Sequence, residues 1–347
     1  MVSQALYHTR KYLPELTELE NLLRQGRQWI RHEVVAEIPV NERRLPIHVL
    51  EMGSTLPNAP VLGLFGGVHG IERIGSQVIL AFLRTLIERL AWDPGAHEQL
   101  AQVRLVIMPI VNPGGMWYNR RANPNGVDLM RNAPISAMDK VPFMVGGQRI
   151  SKHLPWYRGK AGAPMEPENL ALCEVVRNRL LSQSFSMSLD CHSGFGTHDR
   201  LWFPYARTQK PIEDLALAYQ LNQLFRRTYP NHSFYLIEPQ SISYTTHGDI
   251  WDYLYDESTL STNQFLPLTL EMGSWLWVKK NPRQLFNFFS LFNPVLPHRH
   301  ARILRRHLNL FDFLMAACRA HQNWHSNETD IIHRDTQAAL QLWYDED

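Results

Sequence analysis

"APVLGLFGGVHGIERIGSQVILAFLRTLIERLAW" (59–92) decides how this chain folds. Its first nine residues, 59–67, form a short apolar run that breaks on two glycines, the pattern of a buried strand. Residues 74–92 then carry apolar side chains at helical spacing. A buried strand that feeds a helix through a glycine turn is the opening of an α/β unit.

The same alternation continues on both sides. Upstream, "PELTELENLLRQ" (14–25) reads as an amphipathic helix, and "VVAEIPV" (34–40) with "LPIHVLEMG" (45–53) as two paired strands. Downstream, "VRLVIMPIVNP" (103–113) is a second buried strand, stopped by Asn-Pro-Gly-Gly. A stretch rich in Pro, Gly and Asn follows, from about 113 to 165, and loops of that length in a compact domain are functional or poorly ordered. Beyond it, helices are expected over 167–183, 211–229, 248–256 and 303–321. Strands are expected over 186–194, 200–206, 233–239 and 265–273. The expectation is one α/β domain with a central mixed, largely parallel twisted sheet flanked by helices. It covers residues 1–322, with a motif core of about 60–275, followed by a polar C-terminal tail over 323–347.

Composition narrows the function classes. The chain has 347 residues, 44% of them apolar, enough for a substantial core. Net charge is +2 with sixteen histidines counted neutral, so neither nucleic acid nor a membrane surface is expected as partner. The basic stretch "HRHARILRRH" (298–307) reads as the solvated face of a C-terminal helix. No signal peptide is read at the N-terminus, and no apolar run approaches the roughly 20 residues of a membrane span. Cys173, Cys191 and Cys318 are odd in number and far apart, which argues against a disulfide framework and for a reduced, cytoplasmic setting. Oligomeric state leaves no mark in the sequence.

Open α/β sheets gather ligands at the carboxyl ends of their strands. The polar residues there are His69 and Glu72, Asn112 onward, Asp190 and His192, and Glu271. Two imidazoles and a carboxylate make a catalytic zinc set that leaves a coordination position open. His-x-x-Glu alone is a weak motif, because a capping glutamate beside an exposed histidine explains it equally well. Its context, a strand and glycines before and a helix after, with a matching histidine at another strand end, is what turns it toward metal. Glu271 supplies a carboxylate able to act as base, and Arg120, Arg121 and Arg131 supply charge for a developing oxyanion.

Taken together, five ordered segments resemble the carboxypeptidase A-like zinc carboxypeptidases, the funnelin metallopeptidases. "GGVHGIE" is similar to their first metal motif and "NPGGMWYNRRANPNGVDLMRN" (112–132) to their Asn-Pro and Arg-Asn segment. "LDCHSG" is similar to the strand bearing the last ligand, "YTTHGDIWDY" to the mobile tyrosine loop, and "LTLEMG" to the strand of the catalytic glutamate. The resemblance implies that His69, Glu72 and His192 hold one Zn2+ ion, and that Asp128 orients His69 from behind. It implies Glu271 as general base and proton donor, Arg121 as polariser of the scissile carbonyl, Arg131 as binder of a terminal carboxylate and Tyr244 as a closing side chain. Asp249 and Ile250 fall where the specificity pocket is lined.

The implied activity is that of an atypical, bacterial-type cytoplasmic metallocarboxypeptidase. It hydrolyses an amide bond near the carboxylate end of a peptide or peptide-like substrate, by Glu-assisted attack of zinc-bound water. One position departs from the pattern. Met130 stands where the family has an asparagine that helps Arg131 grip the carboxylate. That departure keeps a zinc amidohydrolase of the aspartoacylase or succinylglutamate desuccinylase type, acting on N-acyl amino acids, as an alternative. A non-catalytic binding protein on the same scaffold is a further one.

Overall fold

The computed structural model describes residues 13–345. The absence of a leader is expected from residues 1–25, of which 1–12 lie outside the described residues, as do the last two residues of the tail.

Eight strands form one sheet: β1 (Arg31–Val40), β2 (Arg43–Gly53), β3 (Val61–Gly66), β4 (Arg104–Met108), β5 (Phe185–Ser193), β6 (Asp199–Phe203), β7 (Tyr235–Pro239) and β8 (Gln264–Met272). Their order is β1-β2-β4-β3-β5-β8-β6-β7. The centre, β4-β3-β5-β8, is parallel; β1 with β2, β2 with β4 and β6 with β8 run antiparallel, and β7 lies parallel to β6 at the far edge. Every residue of β3 and β5 is buried, as expected of parallel strands covered on both faces.

The helices are α1 (Pro14–Gln25), α2 (Arg73–Leu90), α3 (Pro94–Ala101), α4 (Pro113–Tyr118), α5 (Pro167–Val176), α6 (Leu215–Thr228), α7 (Ile250–Ser258), α8 (Trp275–Lys280), α9 (Phe288–Phe292), α10 (Pro297–Arg319), α11 (His321–Trp324) and α12 (Thr329–Trp343). The side-chain alternation of β3 shows how they divide between the two faces. A Cβ on Gly63 would meet Leu180, in the turn that follows α5, and Phe65 packs edge-on against Trp251 of α7 at 5.0 Å. A Cβ on Gly66, on the opposite face, would meet Ile79 of α2. α10 packs beside α2 on that second face. None of the helices among the described residues is long and apolar enough to cross a membrane. Cys173, Cys191 and Cys318 are buried and unpaired.

The strand–turn–helix reading of 59–92 holds within a residue or two at each end. Two of its glycines are required by geometry. Gly67 turns the chain out of β3 at φ +64, a left-handed conformation that glycine adopts without strain. Gly70 lies so close to α4 that a Cβ would sit 2.0 Å from the Met116 nitrogen.

The C-terminal segment differs from its reading as a polar tail. Residues 329–343 form α12, which packs on α6 and buries Ala339. The Trp343 ring packs on Phe203 at 4.9 Å, and its Nε1 donates to the Ile237 carbonyl at 2.9 Å. Its buried face rests on few apolar side chains, Ala339, Leu340 and Trp343, together with the buried Asp335, so composition hides it.

Candidate metal centre

Three strand ends converge on one cavity of about 840 Å³. His69 and Glu72 lie in the turn between β3 and α2, with Glu72 the residue just before the helix. Asn112 braces this turn: its Nδ2 donates to the Val68 carbonyl at 3.1 Å, while its Oδ1 caps α4 by accepting from Gly115 N–H at 2.7 Å. His192 sits near the end of β5, directly across the ladder from Glu271 on β8.

The inward atoms of the three expected ligands stand close together. His69 Nδ1 is 3.0 Å from Glu72 Oε1 and 3.1 Å from His192 Nδ1; His192 Nδ1 is 3.1 Å from Glu72 Oε2. All three residues are buried, and one donor atom from each falls within 4.8 Å of the others. Two imidazole nitrogens and one carboxylate oxygen facing one point suit a zinc ion with room for a further ligand.

The residues behind the donors are equally ordered. His69 Nε2 lies 3.0 Å from Asp128 Oδ1, and His192 Nε2 lies 2.8 Å from Asp190 Oδ2. Arg121 donates from Nη1 to Glu72 Oε1 and from Nε to Asp128 Oδ2, each at 2.8 Å. Ser193 N–H donates to Glu72 Oε2 at 3.0 Å. Burial alone would raise the carboxyl of Glu72, but the two imidazoles beside it hold it well below the usual range. Burial likewise opposes the charge on His192, and the carboxylates of Asp190 and Glu72 outweigh it, raising that imidazole.

Glu271 differs from Glu72. Its Oε1 accepts from Phe195 N–H at 2.9 Å, and burial, with the Glu72 carboxylate nearby, pushes it up to about 8. A carboxyl poised there exchanges protons near neutral pH. Arg131 is buried and lines the cavity, donating from Nε to the Val145 carbonyl (3.2 Å) and from Nη1 to that of Met130 (3.1 Å). Met130 and Tyr244 line the same cavity.

The two residues expected to line a specificity pocket separate. Asp249 borders the cavity; its Oδ1 caps α7 by accepting from Trp251 and Asp252 N–H, and its buried Oδ2 has no partner among the described residues. Ile250 is fully buried as the first residue of α7 and is not part of the cavity wall. Asp249 caps the helix in an extended conformation and Ile250 is its first residue, so the two side chains diverge and Ile250 turns into the core. Arg120 is exposed at the cavity mouth, its guanidinium 5.3 Å from the Tyr118 ring.

Two features escaped the sequence reading of roles. One is Asp190, although an i, i+2 pair on a strand must share a face with His192. The other is an aromatic wall. Phe195 lies 5.4–5.7 Å, ring to ring, from Trp202, Tyr244 and Trp275, and Trp202 lies 5.9 Å from Tyr244. Trp275 is 54% exposed, an apolar ring offered to whatever enters. Each ring comes from a different segment, and of the four only Tyr244 is given a role from the sequence.

Comparison with known proteins agrees with this geometry. Human carboxypeptidase D is 24% identical over 247 residues, which is 62% of this chain and 15% of that protein. The chain spans about a third or less of the length of the curated relatives it matches. Thrombin-activatable fibrinolysis inhibitor superposes with a TM-score of 0.64 at 18% identity, covering 87% of this chain and 72% of that one. Carboxypeptidase A from Helicoverpa armigera superposes with 0.60 at 15% identity, covering 93% and 72%. Both structures share the fold. The model of the zinc carboxypeptidase family matches residues 41–276, more than half of the chain and all of the metal centre, and the chain belongs to that family.

Proposed function

We propose that this chain is a zinc-dependent metallocarboxypeptidase that hydrolyses an amide bond near the carboxylate end of a peptide or peptide-like substrate. The observation that carries the reading is the gathering of His69, Glu72, His192, Glu271, Arg121 and Arg131 around one cavity. One zinc ion held by the first three supplies, when bound, polarisation of a carbonyl and acidity to water at neutral pH.

The chain's own groups divide the remaining work. Phe195 N–H holds Oε1 of Glu271, so Oε2 is the oxygen left to accept a proton from water and pass it to the departing amine nitrogen. Arg121 uses Nε and Nη1 on Asp128 and Glu72, which leaves Nη2 to donate to the developing oxyanion. Arg131 offers its guanidinium to the substrate carboxylate, and Tyr244, hydrogen-bonded beside it, covers the substrate. Met130 brings no amide to that carboxylate. The unpartnered Oδ2 of Asp249 supports a C-terminal side chain that carries a cation. Three buried, unpaired cysteines support a reducing, cytoplasmic setting.

The test uses zinc-loaded protein with peptides ending in lysine or leucine, each as free acid and as C-terminal amide, followed by mass spectrometry. Release of the last residue from the free acids alone, fastest for lysine and abolished by chelation, is expected. Intact peptides together with cleaved N-acyl amino acids would overturn the proposal.

A further inference from the structure

His192 is held from behind by a carboxylate that has no other ionic partner among the described residues. Asp190 lies two residues earlier on β5, on the same face, and is fully buried. Its Oδ2 is 2.8 Å from His192 Nε2 and accepts Trp251 Nε1–H at 2.9 Å. Its Oδ1 has no partner among the described residues. The contrast with Asp128 is instructive. That carboxylate also backs a histidine, but it shares its charge with Arg121 at 2.8 Å and spends Oδ1 in part on capping the Leu129–Arg131 turn. Asp190 has no arginine or lysine partner among the described residues; its only ionisable partner is His192.

We propose that Asp190 is a positioning residue for the metal centre: it fixes the His192 ring with the proton on Nε2 and the lone pair of Nδ1 facing Glu72 and His69, and so sets zinc affinity. This rests on the reading of His69, Glu72 and His192 as the ligand set. The argument is geometric. An imidazole whose Nε2 faces an acceptor-only carboxylate at hydrogen-bond distance must place a proton there, so Nδ1 is the nitrogen free to bind metal. The carboxylate also makes Nδ1 a stronger donor, and outer partners of this kind are commonly worth 10–100-fold in metal affinity. Trp251 fixes the carboxylate in turn. It stands on the first turn of α7, where rotation of the Asp190 side chain would cost it a buried hydrogen bond.

A merely structural carboxylate predicts something different. Asp190→Asn keeps shape and an acceptor oxygen while removing a buried charge. A metal-positioning role therefore weakens zinc binding by more than any accompanying change in the stability of the metal-free protein accounts for. Zinc affinity is measured by competition with a chromophoric chelator, and stability of the metal-free protein by urea denaturation. The expected loss of affinity is about 10-fold for Asp190→Asn and approaches ~100-fold for Asp190→Ala. Affinity within twofold of the parent in both variants overturns the proposal, and so does a loss of affinity that merely tracks a loss of stability.

Should the variants fail to fold, 15N-edited spectra of the zinc-loaded parent decide. A His192 Nε2–H proton resonance shifted downfield and protected from solvent is expected, and a proton on Nδ1 refutes the assignment. A parent that binds no zinc at all, compared with His69→Ala as reference, would instead overturn the ligand set itself.

Discussion

Replacing Glu271 by glutamine should make the metal-free protein more stable while nearly abolishing its activity. The residue is buried, and desolvation next to Glu72 pushes its carboxyl from an ordinary 4.5 up to about 8. In the unfolded chain the same group ionises near 4.5. Between those values the folded state keeps a proton that the unfolded state has released, so stability contributed below pH 4.5 is lost as pH rises toward 8. At pH 7 the loss spans about 2.5 pH units at 1.36 kcal/mol each, or about 3 kcal/mol. Glutamine ionises in neither state and keeps an oxygen for the Phe195 N–H. Glu271→Gln should therefore gain about 3 kcal/mol at pH 7 and almost nothing at pH 4.5. Urea denaturation of chelator-treated protein at both pH values measures it. Turnover by the zinc-loaded variant should fall by about 10²–10⁴ with zinc still bound, because Glu271 is not among the donors. A variant with near-parental turnover, or with no gain in stability at pH 7 over pH 4.5, would refute the reasoning.

His69→Ala should lose zinc to dialysis at concentrations that leave the parent loaded; full occupancy by metal analysis would contradict the ligand set. Met130→Asn should raise kcat/KM on peptides with a free C-terminal carboxylate by roughly tenfold or more, the effect of one added hydrogen bond to a charged group, and should leave C-terminal amides uncleaved. His307 is fully buried against Tyr235, and burial pushes its imidazole down from 6.5 to about 4. The unfolded chain takes up a proton first, so stability is held above pH 6.5 and falls by about 3 kcal/mol as pH drops to 4. His307→Gln should flatten that part of the stability curve relative to the parent, and an unchanged slope in urea denaturation would exclude His307 as its source.

What the sequence revealed follows from how local each signal is. His69 and Glu72 were legible because glycines, strand and helix all sit within 34 consecutive residues. His192 and Glu271 were legible as polar breaks at the ends of apolar strands. Asp249 and Ile250 were not separated because their directions depend on where α7 begins, and the sequence expectation starts the helix at Gly248 rather than after the local Asp249 cap. The aromatic wall draws Phe195, Trp202, Tyr244 and Trp275 from four segments, and no spacing rule joins them. Asp190 was visible by periodicity, but its importance depends on Trp251, 61 residues away.

The docking of α12 bears on what happens at the sheet's edge. β7 is one of the two edge strands of the sheet, and a bare edge is a template for pairing with another molecule. Trp343 occupies the Ile237 carbonyl and lays its ring over Phe203, so the last helix acts as a guard on that margin. A chain cut at residue 322, where composition alone suggested the domain ends, would keep His69, Glu72, His192 and the whole cavity wall. It would also uncover a strand edge and an aromatic ring together, and so favour self-association into sheets over the folded, dispersed protein.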